Sequence, residues 1–163
     1  MRAVSNTSPL SNLASINRLP LLQAQFPEIF IPQAVEQELA VHPDPAARAR
    51  IQAALQEEWI KPAVADDSHL LRLLLQQLHR GEAEAIALAA QIKADMVVID
   101  EQEGRELASQ AALSVVGVLG ILLRAKRTGQ LPAIKPEIDA LRMKARFYVA
   151  APLEAKILAA AGE

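Results

Sequence analysis

The sequence predicts an α/β sandwich around a mainly parallel sheet, folded as a single domain over residues 1–163. Short apolar runs alternate with longer helical patterns, the order that builds strand–helix–strand units. The apolar fraction of 52% is mostly Ala, Leu, Ile and Val, with only 3% aromatic residues, a composition that fills a core between helices and a sheet. No repeat, low-complexity stretch or linker divides the 163 residues. At this length folding buries about 68–70% of the surface that the unfolded chain exposes.

RAVSN is the first strand, anchored by Val4. SPLSNLASI follows as a helix, with Pro9 in its first turn and Ser8 as its cap. A second short helix follows Leu19-Pro20. EIFIP is a strand ended by Pro32, and PQAVEQELAVH has helical spacing that sets Val35 and Leu39 on one face until HPDP breaks it. Residues 46–57 form a helix, and EWIKPAV is a short extended piece. DDSHLLRLLLQQLH is helical, capped by Asp66, Asp67 or Ser68. RGEAEAIALAAQIKA is a helix with acids in its first turn, where the helix dipole favours them. MVVID is the clearest strand, EQEGRELASQAA the helix behind it, and LSVVG another short strand. VLGILLRAKRTG is a helix that Gly129 ends. Its VLGILL face is either buried in the monomer or a dimer face. PAIKPEIDALRMKA and residues 152–161 supply the last helices. The pattern totals about four strands and seven or more helices.

Composition narrows the function. The chain has no cysteine, so disulfides and thiolate metal sites are excluded, which is compatible with a reducing compartment. Ser5, Asn6, Thr7 and Ser8 interrupt the place where a signal peptide needs its apolar region. The longest near-apolar run, residues 111–123, falls short of the roughly 20 residues of a membrane helix. The expectation is a cytoplasmic protein without a membrane partner. GxGxxG, P-loop and GxSxG motifs are missing, and His42, His69 and His79 show no zinc spacing. The net charge of −2 hides an asymmetry: residues 1–123 hold 15 acids and 9 Lys/Arg, whereas residues 124–146 hold 7 Lys/Arg and 2 acids. Such a basic segment is either a nucleic-acid footprint or a solvated helix face.

In an open parallel sheet, ligands bind at the carboxyl ends of the strands. Asn6 and Asp100 close strands there. Glu38 and Glu84 lie on helices, and Glu82, Glu101 and Glu103 crowd nearby in sequence. Converging carboxylates suit a hard, oxygen-ligated cation such as Mg²⁺ or Mn²⁺. Without one, a member of the cluster takes up a proton instead. Plainer roles stay open: Glu38 and Glu84 as solvated helix residues, Glu82 as a first-turn charge, Asp100 as a helix cap, and Asn6 as a turn residue.

VSNTSPLSNLASINRLPLL, FPEIFIPQAVEQEL, GEAEAIALA, VVIDEQEGRELA and VVGVLGILLRAKRTGQLPAIKPEIDALR, in this order and spacing, resemble the PIN-domain-like proteins of unknown function from bacteria and archaea. The resemblance covers nearly the whole chain. It implies a three-layer α/β/α sandwich around a short parallel sheet. It also implies a Mg²⁺- or Mn²⁺-dependent ribonuclease, often the toxin of a toxin–antitoxin pair. The first-strand aspartate of the family pattern falls on Asn6, the second acid on Glu38, and the fourth on Asp100. The third falls on Glu84, with Glu82 as the second choice. Thr7 and Ser8 fall in the turn where a hydroxyl orients the metal's water. An amide at position 6 leaves the set at −3 rather than −4, which favours a single cation. RNA is then the expected substrate, with Arg124, Lys126 and Arg127 as phosphate contacts. A small antitoxin protein and a second copy of the chain are the expected partners. The alternative is a catalytically weak or inactive module that binds RNA or a partner protein.

Overall fold

The computed structural model describes residues 1–163. Its strands are β1 (Arg2–Ser5), β2 (Glu28–Pro32), β3 (Ile60–Ala63), β4 (Met96–Val98) and β5 (Val115–Val116). Its helices are α1 (Thr7–Ser15), α2 (Leu19–Gln25), α3 (Gln33–Ala40), α4 (Pro45–Gln56) and α5 (His69–Leu74), then α6 (Arg80–Gln91), α7 (Gln102–Gln110), α8 (Val118–Arg127), α9 (Lys135–Ala145) and α10 (Ala151–Ala161). The strands form one all-parallel sheet in the order β3-β2-β1-β4-β5. The chain leaves β1 to build one wing and returns beside β1 to build the other. The crevice at the carboxyl ends of β1 and β4 is therefore the topological switch point, where such sheets bind ligands.

The period-two geometry of a strand divides the core. Ala3, Ile29, Ile31, Ile60 and Val98 face a large cluster with α1, α2, α4, α8 and α9. Val4, Val97 and Ile99 face the other way, into a cluster with α5, α6 and α7. Each fully buried Leu, Ile or Phe side chain is worth about 1.5–3 kcal/mol. The result is a three-layer α/β/α sandwich.

The structure adds a strand to the expected set. EWIKPAV provides β3, paired in parallel with β2 at Ile29↔Ile60 and Ile31↔Pro62. Its position at the sheet edge tolerates Pro62, which cannot donate to a ladder. Ser68 is the cap of α5, accepting from the Leu71 amide at 3.1 Å. The VLGILL run is buried through Val118, Ile121 and Leu122. Gly129 does end α8, in the left-handed region at φ 77°. Ser8 is not the cap of α1: that helix starts at Thr7 with Asn6 in the cap position, and the Asn6 side chain makes no capping bond. No helix is long and apolar enough to cross a membrane.

Candidate functional site

The turn after β1 opens onto a cleft of about 170 Å³ with no hydrophobic residue in its lining. Asn6, Thr7 and Ser8 form one wall. Glu38 comes from α3, His79, Gly81 and Glu82 from the start of α6, and Glu101 from the loop after β4. The three turn residues all donate to acids. Asn6 Nδ2 donates to Glu101 Oε2 at 3.1 Å. Ser8 Oγ donates to the other oxygen of Glu101, and Thr7 Oγ1 donates to Glu38. Glu101 occupies the N-cap of α7 yet makes no capping bond there, because its carboxylate is turned into the cleft.

The remaining oxygen of Asn6 shares a focus with Glu38. A Cβ placed on Gly81 would lie 3.1 Å from Glu38 Oε1 and 3.4 Å from Asn6 Oδ1. A glycine at this position thus leaves space above which both oxygens gather. Glu82 is buried, and its carboxyl is held above the usual range, first by burial and then by the charge of Glu101. A hydrogen bond from the His79 backbone amide works in the opposite direction.

Three of the expected site features lie elsewhere. Glu84 does not line the cleft. Its Oε2 accepts from the Ala34 amide at 3.1 Å, and its Oε1 pairs with Arg80 at 2.8 Å. The cap residue of α3 is Pro32, which has no side-chain oxygen, and Glu84 supplies the missing acceptor from α6. Asp100 repeats this logic. The cap residue of α8 is Gly117, and Asp100 Oδ1 accepts from the Val118 amide at 2.8 Å. Burial pushes the Asp100 carboxyl up to about 6. Arg124, Lys126 and Arg127 occupy the last turn of α8, where basic side chains complement the helix dipole. They lie at the opposite end of a helix about 15 Å long, away from the carboxyl edge of the sheet. Lys126 is engaged with the Pro132 carbonyl and with Glu163.

Ser11 and His42 form a close pair outside the cleft, at 2.7 Å between Ser11 Oγ and His42 Nε2. His42 Nδ1 accepts from the Asp44 amide at 3.1 Å, so the ring proton sits on Nε2 and points at the hydroxyl. The imidazole therefore cannot take the serine proton, and the pair is structural rather than nucleophilic.

A family model described as a PIN domain matches residues 2–163. The chain belongs to the PIN-domain family. No curated protein matches it. The parallel five-stranded sheet with helices on both faces agrees with that membership. In this PIN domain the cleft at the sheet's switch point holds three carboxylates and no Lys or Arg. Two helix N-termini, those of α1 and α6, end beside it and each presents the equivalent of about half a positive charge. They offset part of the repulsion. The lining supplies carboxylate, amide and hydroxyl oxygens, with His79 the one imidazole, and this set fits a hard divalent cation. As the side chains stand, no three acids or imidazoles are close enough together to chelate one ion.

The cleft gathers Glu101 and His79, which sequence spacing does not single out, and Glu82 in place of Glu84. A signal existed: Pro32 and Gly117 begin helices without a side-chain acceptor, so each helix needs a carboxylate from elsewhere in the fold.

Proposed function

We propose that this PIN domain is a divalent-metal-dependent ribonuclease whose cation is held by Glu38, Glu82 and Glu101, with Asn6 as a neutral oxygen ligand. One observation carries this reading. Glu38 and the free oxygen of Asn6 both face the space above Gly81, in a wholly polar cleft at the sheet's switch point. Bound there, Mg²⁺ or Mn²⁺ would supply charge neutralisation at a phosphate and would favour attack of water on phosphorus. The chain's own residues do the rest. Glu38 and Glu101 are oriented by hydroxyl donors from Thr7 and Ser8. Asn6 fixes Glu101 through its amide and adds no charge. The set remains at −3, as one divalent cation suits.

Calorimetric titration with Mn²⁺ tests the site without any choice of RNA. Wild-type protein is expected to bind one equivalent, Glu38→Gln to lose binding, and Glu84→Gln to keep it. No heat at millimolar Mn²⁺ with folded wild type overturns the proposal.

A second reading is favoured by the amide at Asn6 and by the separation of the carboxylates: a PIN module that binds RNA or protein without cleaving. It predicts RNA retention that is independent of divalent cations. On the nuclease reading the chain would be the toxin of a toxin–antitoxin pair acting in the cytoplasm, with a small antitoxin protein and a second copy as partners. Co-purification with a protein encoded beside it, and the solution mass, test those assignments.

A further inference from the structure

A second cavity opens beside the cleft and is different in kind. It measures about 490 Å³ and lies between β5, the first turn of α8 and α10. Asp100 lines it while its neighbour Glu101 lines the cleft, so the two meet at the loop after β4. Its floor is glycine. At Gly117 a Cβ would stand 2.6 Å from Asp100 Oδ1, which takes the Val118 amide, and 3.0 Å from Arg105 Nη1, which donates to the Ile99 carbonyl. Its walls are aliphatic, including Leu119 and Ile157, and its lip carries Phe147 and Tyr148.

The rings deserve weight because the chain has so few. Phe26 and Trp59 are core residues at 1% and 6% exposure, whereas Tyr148 is 85% exposed. Tyr148 is not on a loose tail. Val149 beside it is buried, and Arg142 Nη2 donates to the Val149 carbonyl at 3.2 Å. Lys144 and Arg146, both exposed, precede the rings in the chain.

We propose that this cavity seats one unpaired nucleobase of a single strand whose backbone crosses the acidic cleft, with Tyr148 as the stacking face and Arg105 meeting the base edge. A planar heterocycle satisfies the parts together: ring against ring, a flat face over glycine, and ring acceptors to the guanidinium. An apolar peptide side chain would use the walls alone, whereas a base edge also reaches the guanidinium N–H groups of Arg105 beyond the one that Nη1 gives to the Ile99 carbonyl. The inference rests on the nucleic-acid reading of the PIN domain, but its test needs no catalysis.

Fluorescence anisotropy with labelled single-stranded RNA in Ca²⁺, an oxygen-ligated cation that keeps the cleft neutralised, reads binding, with gel electrophoresis confirming that the strand stays intact. Tyr148→Ala is expected to weaken binding about tenfold, and Tyr148→Phe to restore it, since stacking needs the ring and not the hydroxyl. Duplex RNA of the same sequence is expected to compete poorly, because its bases are not free. Equal affinity of Tyr148→Ala and wild type overturns the proposal, as does full competition by duplex or a wild type that binds no oligonucleotide. Unchanged melting of Tyr148→Ala excludes unfolding as the cause. The Mn²⁺ titration reports separately on the cation site, so loss of one does not pass for loss of the other.

Discussion

Replacing Asn6 by aspartate sets a carboxylate oxygen where Asn6 Nδ2 now donates, 3.1 Å from Glu101 Oε2. At that distance two full charges repel by about 1 kcal/mol in bulk water and about 5 kcal/mol at an effective dielectric of about 20. A charge-assisted hydrogen bond worth about 1.5–3 kcal/mol is lost as well. Proton uptake by one carboxylate limits the electrostatic part. At pH 7 that costs about 4 kcal/mol for a group with an ordinary value near 4, and less at lower pH. Metal-free Asn6→Asp is therefore expected to be about 2–4 kcal/mol less stable at pH 7, a fall in Tm of roughly 5–15 °C, with the deficit shrinking toward pH 5. Mn²⁺ should reverse the effect, because the cluster then carries −4 and the cation neutralises the new repulsion. The assays are differential scanning fluorimetry in EDTA and in Mn²⁺ at both pH values, with calorimetry for affinity. A variant that melts with wild type in EDTA and binds Mn²⁺ no more tightly refutes the placement of Asn6 against Glu101 in a cation site.

Glu84→Ala should cost about 1–3 kcal/mol by leaving the Ala34 amide without an acceptor, visible as a lower urea midpoint, while Mn²⁺ affinity stays unchanged. Gly81→Ala sets a methyl 3.1 Å from Glu38 Oε1 and should weaken Mn²⁺ binding about tenfold in calorimetry, with little loss of folding stability because alanine favours the helix. Asp100 is raised from its ordinary 3.8 to about 6 by burial, so between those values the native state binds more proton than the unfolded one. Its contribution is full below about pH 4 and is lost as pH rises through about 6, in total about 3 kcal/mol at 1.36 kcal/mol per unit. Glu28, Asp67, Glu154 and Glu163 are lowered by ion pairs or amide donors and tilt stability the other way, so the comparison is with Asp100→Asn. That variant keeps an acceptor for the Val118 amide, and its urea midpoints should lose the decline between pH 4 and 6 that Asp100 contributes.

Most of the fold could be read from the sequence because its signals are local. VVID and EIFIP are short β-branched or aromatic runs bounded by polar residues or proline, and Gly129 marks the end of α8. β3 was harder: Lys61 and Pro62 interrupt IKPA, and only pairing at the edge of β2 makes it a strand. The start of α1 departs from its local signal for a physical reason. Ser8 is a good capping residue in isolation, but Glu101, 93 positions away, takes its hydroxyl as a donor and leaves the helix to begin one residue earlier.

The site was harder than the fold because carboxylates have two destinations that sequence spacing does not separate. Three helices whose cap residue lacks a side-chain acceptor draw an acid from a distant element. α3 begins after Pro32 and takes Glu84, α8 begins after Gly117 and takes Asp100, and α9 begins after Ile134 and takes Glu163 through the Ile134 and Lys135 amides. Each of these acids is spent on backbone N–H groups that would otherwise be left unpaired. The acids of the cleft are distinguished by the opposite sign of need. Glu38 and Glu101 take side-chain donors from the turn after β1, and no distant helix terminus claims them. An amide at position 6 then follows from the arrangement. A carboxylate there would face Glu101 across 3.1 Å with no Lys or Arg in the lining to relieve it, whereas asparagine donates a hydrogen bond to Glu101 and still turns an oxygen toward the space above Gly81.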